Sequence, residues 1–98
     1  MAAYAVASYT ITNPEGYQEY GPAVAPILAA HQVEIVAFDN HSEIVEGSPG
    51  QTTVIMRFPS REAAHAFYNS EEYKAIAHFR TDNSEGSIVL CDEMRARA

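Results

Sequence analysis

TTVIMRFPSREAAHAFYNSEEYKAIAHFR, from Thr52 to Arg80, contains the junction on which the fold reading turns. Thr52–Phe58 is rich in β-branched and aromatic residues and forms a strand. Pro59 and Ser60 end it, and the Ser60 side chain is placed to accept a hydrogen bond from a free amide of the helix that follows, through about Tyr68. Ser70, followed by Glu71 and Glu72, starts a second helical segment with its acids in the first turn, where the helix dipole favours them. The stretch is therefore half of a β-α unit whose helix is interrupted.

The flanking sequence supplies the other half. AYAVASYTI (Ala3 to Ile11) reads as a strand, and Asn13-Pro14 as a capped helix start. Tyr17, Tyr20, Val24, Ile27, Leu28 and His31 then recur at three- and four-residue spacing on one helical face. Gly21-Pro22 and Pro26 interrupt that helix, which predicts a kink or two short helices. Val33–Phe38 is a second strand, and Ser42–Gly47 a short strand or its continuation past a bulge. Gly86–Asp92 closes as the last strand, and RARA (residues 95–98) is expected to fray. The order β-α-β-β-α-β is that of an α+β, ferredoxin-like sandwich in a single domain spanning residues 1–98.

A sheet covered on one side should alternate apolar and polar residues, yet these strands are apolar on both faces. Ile55 points away from Val54 and Met56, and Val89 away from Ile88 and Leu90. Two helices cover one face only, so the second calls for a partner. A homodimer packed sheet to sheet, forming a dimeric α/β barrel, meets that demand.

EGYQEYGPAVAPIL, EIVEG and FPSREAAHAFYNSEEYKAIAHFR together resemble domain-of-unknown-function family thirteen-thirty, small dimeric α/β-barrel proteins. The similarity runs from about Tyr4 to Leu90 and is most specific at Phe58-Pro59-Ser60, Ala63-Ala64, Tyr68, Ser70, Glu72-Tyr73 and Arg80. It implies a ferredoxin-like fold dimerised through its sheets and no established reaction. Where such proteins have a Gly-Gly pair after the first helix, this chain has Gln32-Val33, which puts the local turn in question.

Charge narrows the chemistry. The net charge is -7, and no Lys or Arg precedes Arg57, which argues against binding a phosphate backbone and so against nucleic acid. No apolar run is long enough to cross a membrane and no secretory signal is recognisable, so a cytoplasmic protein is expected. One cysteine and four scattered histidines give no metal-ligand spacing.

Arg80 shares a helical stripe with Tyr73, Ile76 and Ala77, a face that should pack on the sheet, where a guanidinium is not left unpaired. Either it lies past the helix end, capping carbonyls or bridging to Glu72 or Asp82, or it stands at a pocket mouth as the fixed cation for a small anion. Tyr20, Tyr68 and Tyr73 are the accompanying ligand-binding candidates, each with a core reading beside it. His31 is the catalytic candidate because imidazoles as a class exchange protons near neutral pH, against the alternative of a helix C-terminal cap. His65 and His78 are assigned to solvent, His41 to a turn and Cys91 to the core. Arg57 is assigned to the dimer interface, paired with Glu34 or Glu46 of the other subunit. Three functions fit: an enzyme without metal or organic cofactor acting on a small, partly aromatic or carboxylate-bearing molecule, a non-catalytic binding module, or a structural or stress-associated dimer. A cavity of a few hundred Å³ between sheet and helices separates the first two from the third.

Overall fold

The computed structural model describes residues 1–94, so the expectation for the RARA tail lies outside the described residues. The elements are β1 (Ala3–Ile11), α1 (Pro14–Tyr17), α2 (Tyr20–Ala30), β2 (Glu34–Asp39), β3 (Thr52–Phe58), α3 (Arg61–Tyr68), α4 (Glu71–Ile76), α5 (His78–Thr81) and β4 (Ser84–Asp92). The strands form one antiparallel sheet in the order β2-β3-β1-β4. The expected ferredoxin-like α+β topology is present, with β3 filling the gap between β1 and β2 that the first crossover leaves.

Local chemistry explains most boundaries. Ser60 Oγ accepts from the Ala63 amide at 3.0 Å, and Ser70 Oγ accepts from the Tyr73 amide at 3.1 Å, so both serines cap as their positions predict. Asn13 does not. Its side-chain amide donates to Asn83 Oδ1 at 3.0 Å, while Asn83 O takes the Thr12 and Asn13 amides, so it ties the helix start to the last loop instead. The break in the first helix falls at Gln18-Glu19, ahead of Gly21-Pro22. Pro22 then sits in the first turn of α2, where its missing N–H leaves no bond unmade, and Pro26 is carried inside the helix.

Ser42–Gly47 is not a strand. β2 already bulges at Val36, between the pairs Ile35–Met56 and Ala37–Ile55, and ends at Asp39. Ser42 then turns its amide to Gln51 O and its hydroxyl to Thr53 Oγ1. Gly47 adopts φ 92 and Pro49 follows, which leaves no extended run to pair. Val45 at this loop's tip is 95% exposed.

The turn after α2 keeps its geometry without glycine. Gln32 takes φ 56, its amide bonds Ala29 O at 3.2 Å, and the Val33 amide bonds Leu28 O at 3.0 Å. That pair of bonds is a Schellman motif, which places a left-handed residue where glycine is ordinarily preferred.

From Ala3 to Tyr9 of β1 and along all of β3, buried inward residues alternate with half-buried outward ones. Phe58, Ala64 and Phe67 are sealed at one end of the layer between sheet and helices, with Tyr73 beside them. Outward, the single chain leaves Val36 and Val89 half exposed. Two residues of this face carry sequence assignments, and that of Cys91 to the core changes. Arg57 pairs with Glu93 of its own chain at 3.5 Å, because Glu93 follows β4 back alongside β1. Cys91 is exposed, since its place on β4 faces away from the helices.

Replacing Gln32 with glycine removes the left-handed strain of an L-residue at little further cost. Gln32→Gly is expected to stabilise the fold by about 1 kcal/mol, raising Tm by roughly 5 °C. An unchanged or lowered Tm in thermal unfolding would place the turn elsewhere.

Candidate functional site

The central strand carries alanine at each of its first inward positions, Ala3, Ala5 and Ala7. At the last of these, Ala7, so short a side chain leaves the layer under α1 and α2 unfilled. A cleft of about 690 Å³ results, floored by Ala7, Val54, Met56 and Ile88. Val24 and Leu28 of α2 form its roof, and its mouth opens at the β2 edge beside Ile35 and Phe38, about half exposed although they point to the helix side.

One wall is aromatic and polar. Tyr9 and Tyr17 share a short hydroxyl–hydroxyl contact. Tyr17 stacks on Tyr20 with ring centroids 5.7 Å apart, and Tyr20 hydrogen-bonds through its hydroxyl to that of Tyr73 at 3.0 Å. Arg80 Nη2 donates to the Tyr73 hydroxyl at 3.3 Å, and the guanidinium carbon lies 5.9 Å from the centre of the Tyr20 ring. Tyr68 packs edge-on to Tyr73. Five of the six tyrosines thus surround one arginine.

Sequence placed Arg80 correctly on its stripe, because the helical run continues across Ala77. The Ala77 amide bonds Tyr73 O and the Thr81 amide bonds Ala77 O, so α5 carries on the face of α4. Neither acidic partner considered for Arg80 forms an ion pair with it: Glu72 lies 4.0 Å from His31 Nε2, and no carboxylate among the described residues bridges Arg80. Two buried polar atoms of this wall, Arg80 Nε and the Tyr68 hydroxyl, have no hydrogen-bond partner among the described residues. Such atoms are costly to bury unless something supplies the bond.

The candidates separate as follows. Tyr20, Tyr68 and Arg80 line the cleft, whereas Tyr73 is buried behind them and holds Tyr20 and Arg80 in place. His31 is not a lining residue. It ends α2, its ring edge-on to Phe67, on the side facing Glu72. Tyr9, Tyr17, Asn40, Gln51 and His41 line the cleft and were not singled out as ligand residues. Tyr17 was legible in the first helix's stripe. Tyr9 is placed by close backbone approach: a side chain at Gly50 or Gly86 would collide with the chain at Tyr9. His41 belongs to a loop whose position no periodicity reveals. Among the described residues, no three His, Cys, Asp or Glu side chains converge as metal ligands would.

A family model described as Domain of unknown function (DUF1330) matches residues 2–94, and the chain belongs to that family. Among curated proteins none matches the sequence. Solved structures share the fold at low identity. A protein of unknown function from Rhodopseudomonas palustris aligns with TM-score 0.80 at 13% identity, over 97% of this chain and 84% of its own. A dimeric protein of unknown function and ferredoxin-like fold from Bacteroides fragilis gives TM-score 0.64 at 9% identity, covering 94% and 96% of the two chains. SnoaB, a cofactor-independent oxygenase from Streptomyces nogalater, gives 0.63 at 13%, covering 97% and 95%.

Electrostatics separate the two kinds of group in the wall. Burial pushes the Tyr9, Tyr17, Tyr20 and Tyr68 hydroxyls above the ordinary phenol range, reinforced at Tyr9 by Tyr17 and at Tyr20 by Tyr73. For Arg80, burial works against the charge, but the Tyr73 and Tyr20 oxygens outweigh it and hold the guanidinium charged. The wall is a set of neutral O–H groups around a fixed cation. Because the folded state keeps those phenolic protons more firmly than the unfolded chain, it binds more protons once the pH passes the ordinary phenol value of about 10. Their contribution is complete below that pH and is lost as the pH rises through the folded values. The urea midpoint is expected to fall above about pH 10, with tyrosinate absorbance appearing together with unfolding. Ionisation of these tyrosines near pH 10 in a protein that stays folded and equally stable would contradict the buried cluster.

Proposed function

We propose that this family member acts as a homodimer in which each protomer binds a small, partly aromatic anion, a carboxylate, phenolate or enolate, in the tyrosine-lined cleft. The observation that carries the reading is Arg80: a charged guanidinium held among neutral hydroxyls, with no carboxylate partner among the described residues and with its Nε unbonded. An anion there gains more than in water because the surroundings screen it less. The rigid fork of arginine suits a carboxylate or a delocalised oxyanion, and Tyr20 and Tyr68 add donors. The apolar floor of Ala7, Val54 and Ile88 fits the uncharged ring of such a molecule.

Dimerisation is supported by the apolar outer face, where Tyr4, Val6 and Ile55 of the central strands lie beside the exposed Val89. The dimeric Bacteroides fragilis neighbour has the same fold. Sedimentation at micromolar concentration is expected to give a dimer, and a stable monomer would overturn this half of the reading.

Catalysis without metal or organic cofactor on the bound anion is a second reading, with a purely binding role as its alternative. A titratable side chain in the same cleft, His41, favours catalysis, and the fold likeness to a cofactor-independent oxygenase is consistent with it.

Binding is tested by stabilisation that grows with the concentration of small aryl carboxylates and phenols. Arg80→Gln is expected to keep the dimer but to lose roughly 1.5–3 kcal/mol of binding free energy, as for a charge-assisted hydrogen bond, and Arg80→Lys to restore little of it. An Arg80→Gln protein stabilised like the parent would show that the anion does not sit at Arg80.

A further inference from the structure

His41, an exposed residue of the loop between β2 and β3, lines the rim of the cleft, and the chain around it is tied down. Its amide donates to Asp39 Oδ1 at 2.7 Å, a two-residue Asx turn. Ser42, next in sequence, donates its amide to Gln51 O at 3.0 Å and shares a 2.6 Å hydroxyl contact with Thr53. On the other side, Asn40 Oδ1 accepts from Thr52 Oγ1 at 3.2 Å, and Thr52 lies opposite Tyr9 in the sheet. The backbone bearing the imidazole is thereby fixed to β2 and β3 on both sides of the residue.

The remaining lining residues define what His41 alone can do. They include no aspartate, glutamate, cysteine or lysine. Phenols and guanidinium keep their protons at neutral pH, and amides and the threonine hydroxyl do not accept one. Imidazole is the lining group able to take a proton from a bound molecule and return it. The tyrosine wall and Arg80 offer donors for the negative charge such a transfer creates.

We propose that His41 is the proton-transfer residue of the cleft, acting on the carbon next to the carbonyl of an aromatic keto acid whose carboxylate is held at Arg80. The proposal rests on the anion-binding reading above. In the step, the C–H bond breaks and its proton passes to the unprotonated ring nitrogen of His41. The bonding pair becomes the new carbon–carbon double bond, and the carbonyl π pair moves onto oxygen as an enolate. The hydroxyls of the tyrosine wall and Arg80 stabilise that oxygen. Return of the proton to oxygen gives the enol and return to carbon the ketone, so the reaction is a tautomerisation without net oxidation or reduction.

Phenylpyruvate is a suitable probe, since it carries a carboxylate, a phenyl ring and an exchangeable C–H beside its ketone. Exchange of that C–H in deuterated water, followed by proton NMR, is expected to be faster with the wild-type protein than in matched buffer. His41→Gln should lower the protein-dependent exchange roughly 100-fold or more, while phenylpyruvate still raises its Tm as in the parent. His31→Gln, altering a residue outside the cleft wall, should exchange like wild type. Retained exchange in His41→Gln, or a wild-type protein that phenylpyruvate stabilises without accelerating exchange, would overturn the role of His41 and leave the anion site standing. If phenylpyruvate fails to stabilise the wild-type protein at all, the anion site and the proton transfer built on it both fall.

Discussion

A half-buried guanidinium with no carboxylate partner among the described residues is the constraint around which this molecule is arranged. Taking a charge partly out of water is unfavourable unless polar groups replace the lost hydration. Here the replacement is made by phenolic oxygens, Tyr73 directly and Tyr20 through its ring and its hydroxyl contact to Tyr73. Neutral oxygens compensate the charge without cancelling it. A carboxylate in the same place would have neutralised Arg80, whereas the tyrosines leave its charge in place.

That arrangement needs space, and the space originates in the sheet. Ala7 on the inward side of β1 leaves the layer underfilled beneath α1 and α2, while the phenylalanines Phe58 and Phe67 close its other end. The same domain therefore has a packed half that holds the helices to the sheet and an open half that contains the cleft. The broken second helical unit serves this division. Ser70 restarts the helix, which directs Tyr73 and, one further stretch along the same stripe, Arg80 toward the sheet.

The fold was legible because its signals are local and periodic: strand composition in Thr52–Phe58, serine caps at Ser60 and Ser70, and two-sided apolar strands. The resemblance to the family agreed with them. Arg80 and Tyr20 were legible as candidates on inward helical stripes for the same reason, since helical spacing reports which face a residue occupies, whereas Tyr68 was a candidate only from its place at the break between the helical segments. Tyr73 and His31 share apolar stripes too, but spacing does not say how deep a residue lies or toward which neighbour, and one is covered by Tyr20 while the other meets Glu72. His41 was out of reach. Its place depends on hydrogen bonds that its own amide donates to Asp39 and that Ser42 makes with Gln51 and Thr53, the last two residues being distant in sequence. Ser42–Gly47 misled for the opposite reason: a strand-like composition was overruled by Gly47, Pro49 and the diversion of Ser42.

The central claim is that the Arg80 guanidinium is sequestered in the cleft and free to take an anion, and its Nε–H resonance reports both properties. In a nitrogen–proton correlation spectrum titrated with benzoate, the Arg80 Nε–H signal should exchange slowly with water and shift saturably, while those of Arg57 and Arg61, already paired with Glu93 and Asp92, should not move. An Arg80 signal that exchanges as fast as that of Arg61 and ignores benzoate would contradict the account at its base.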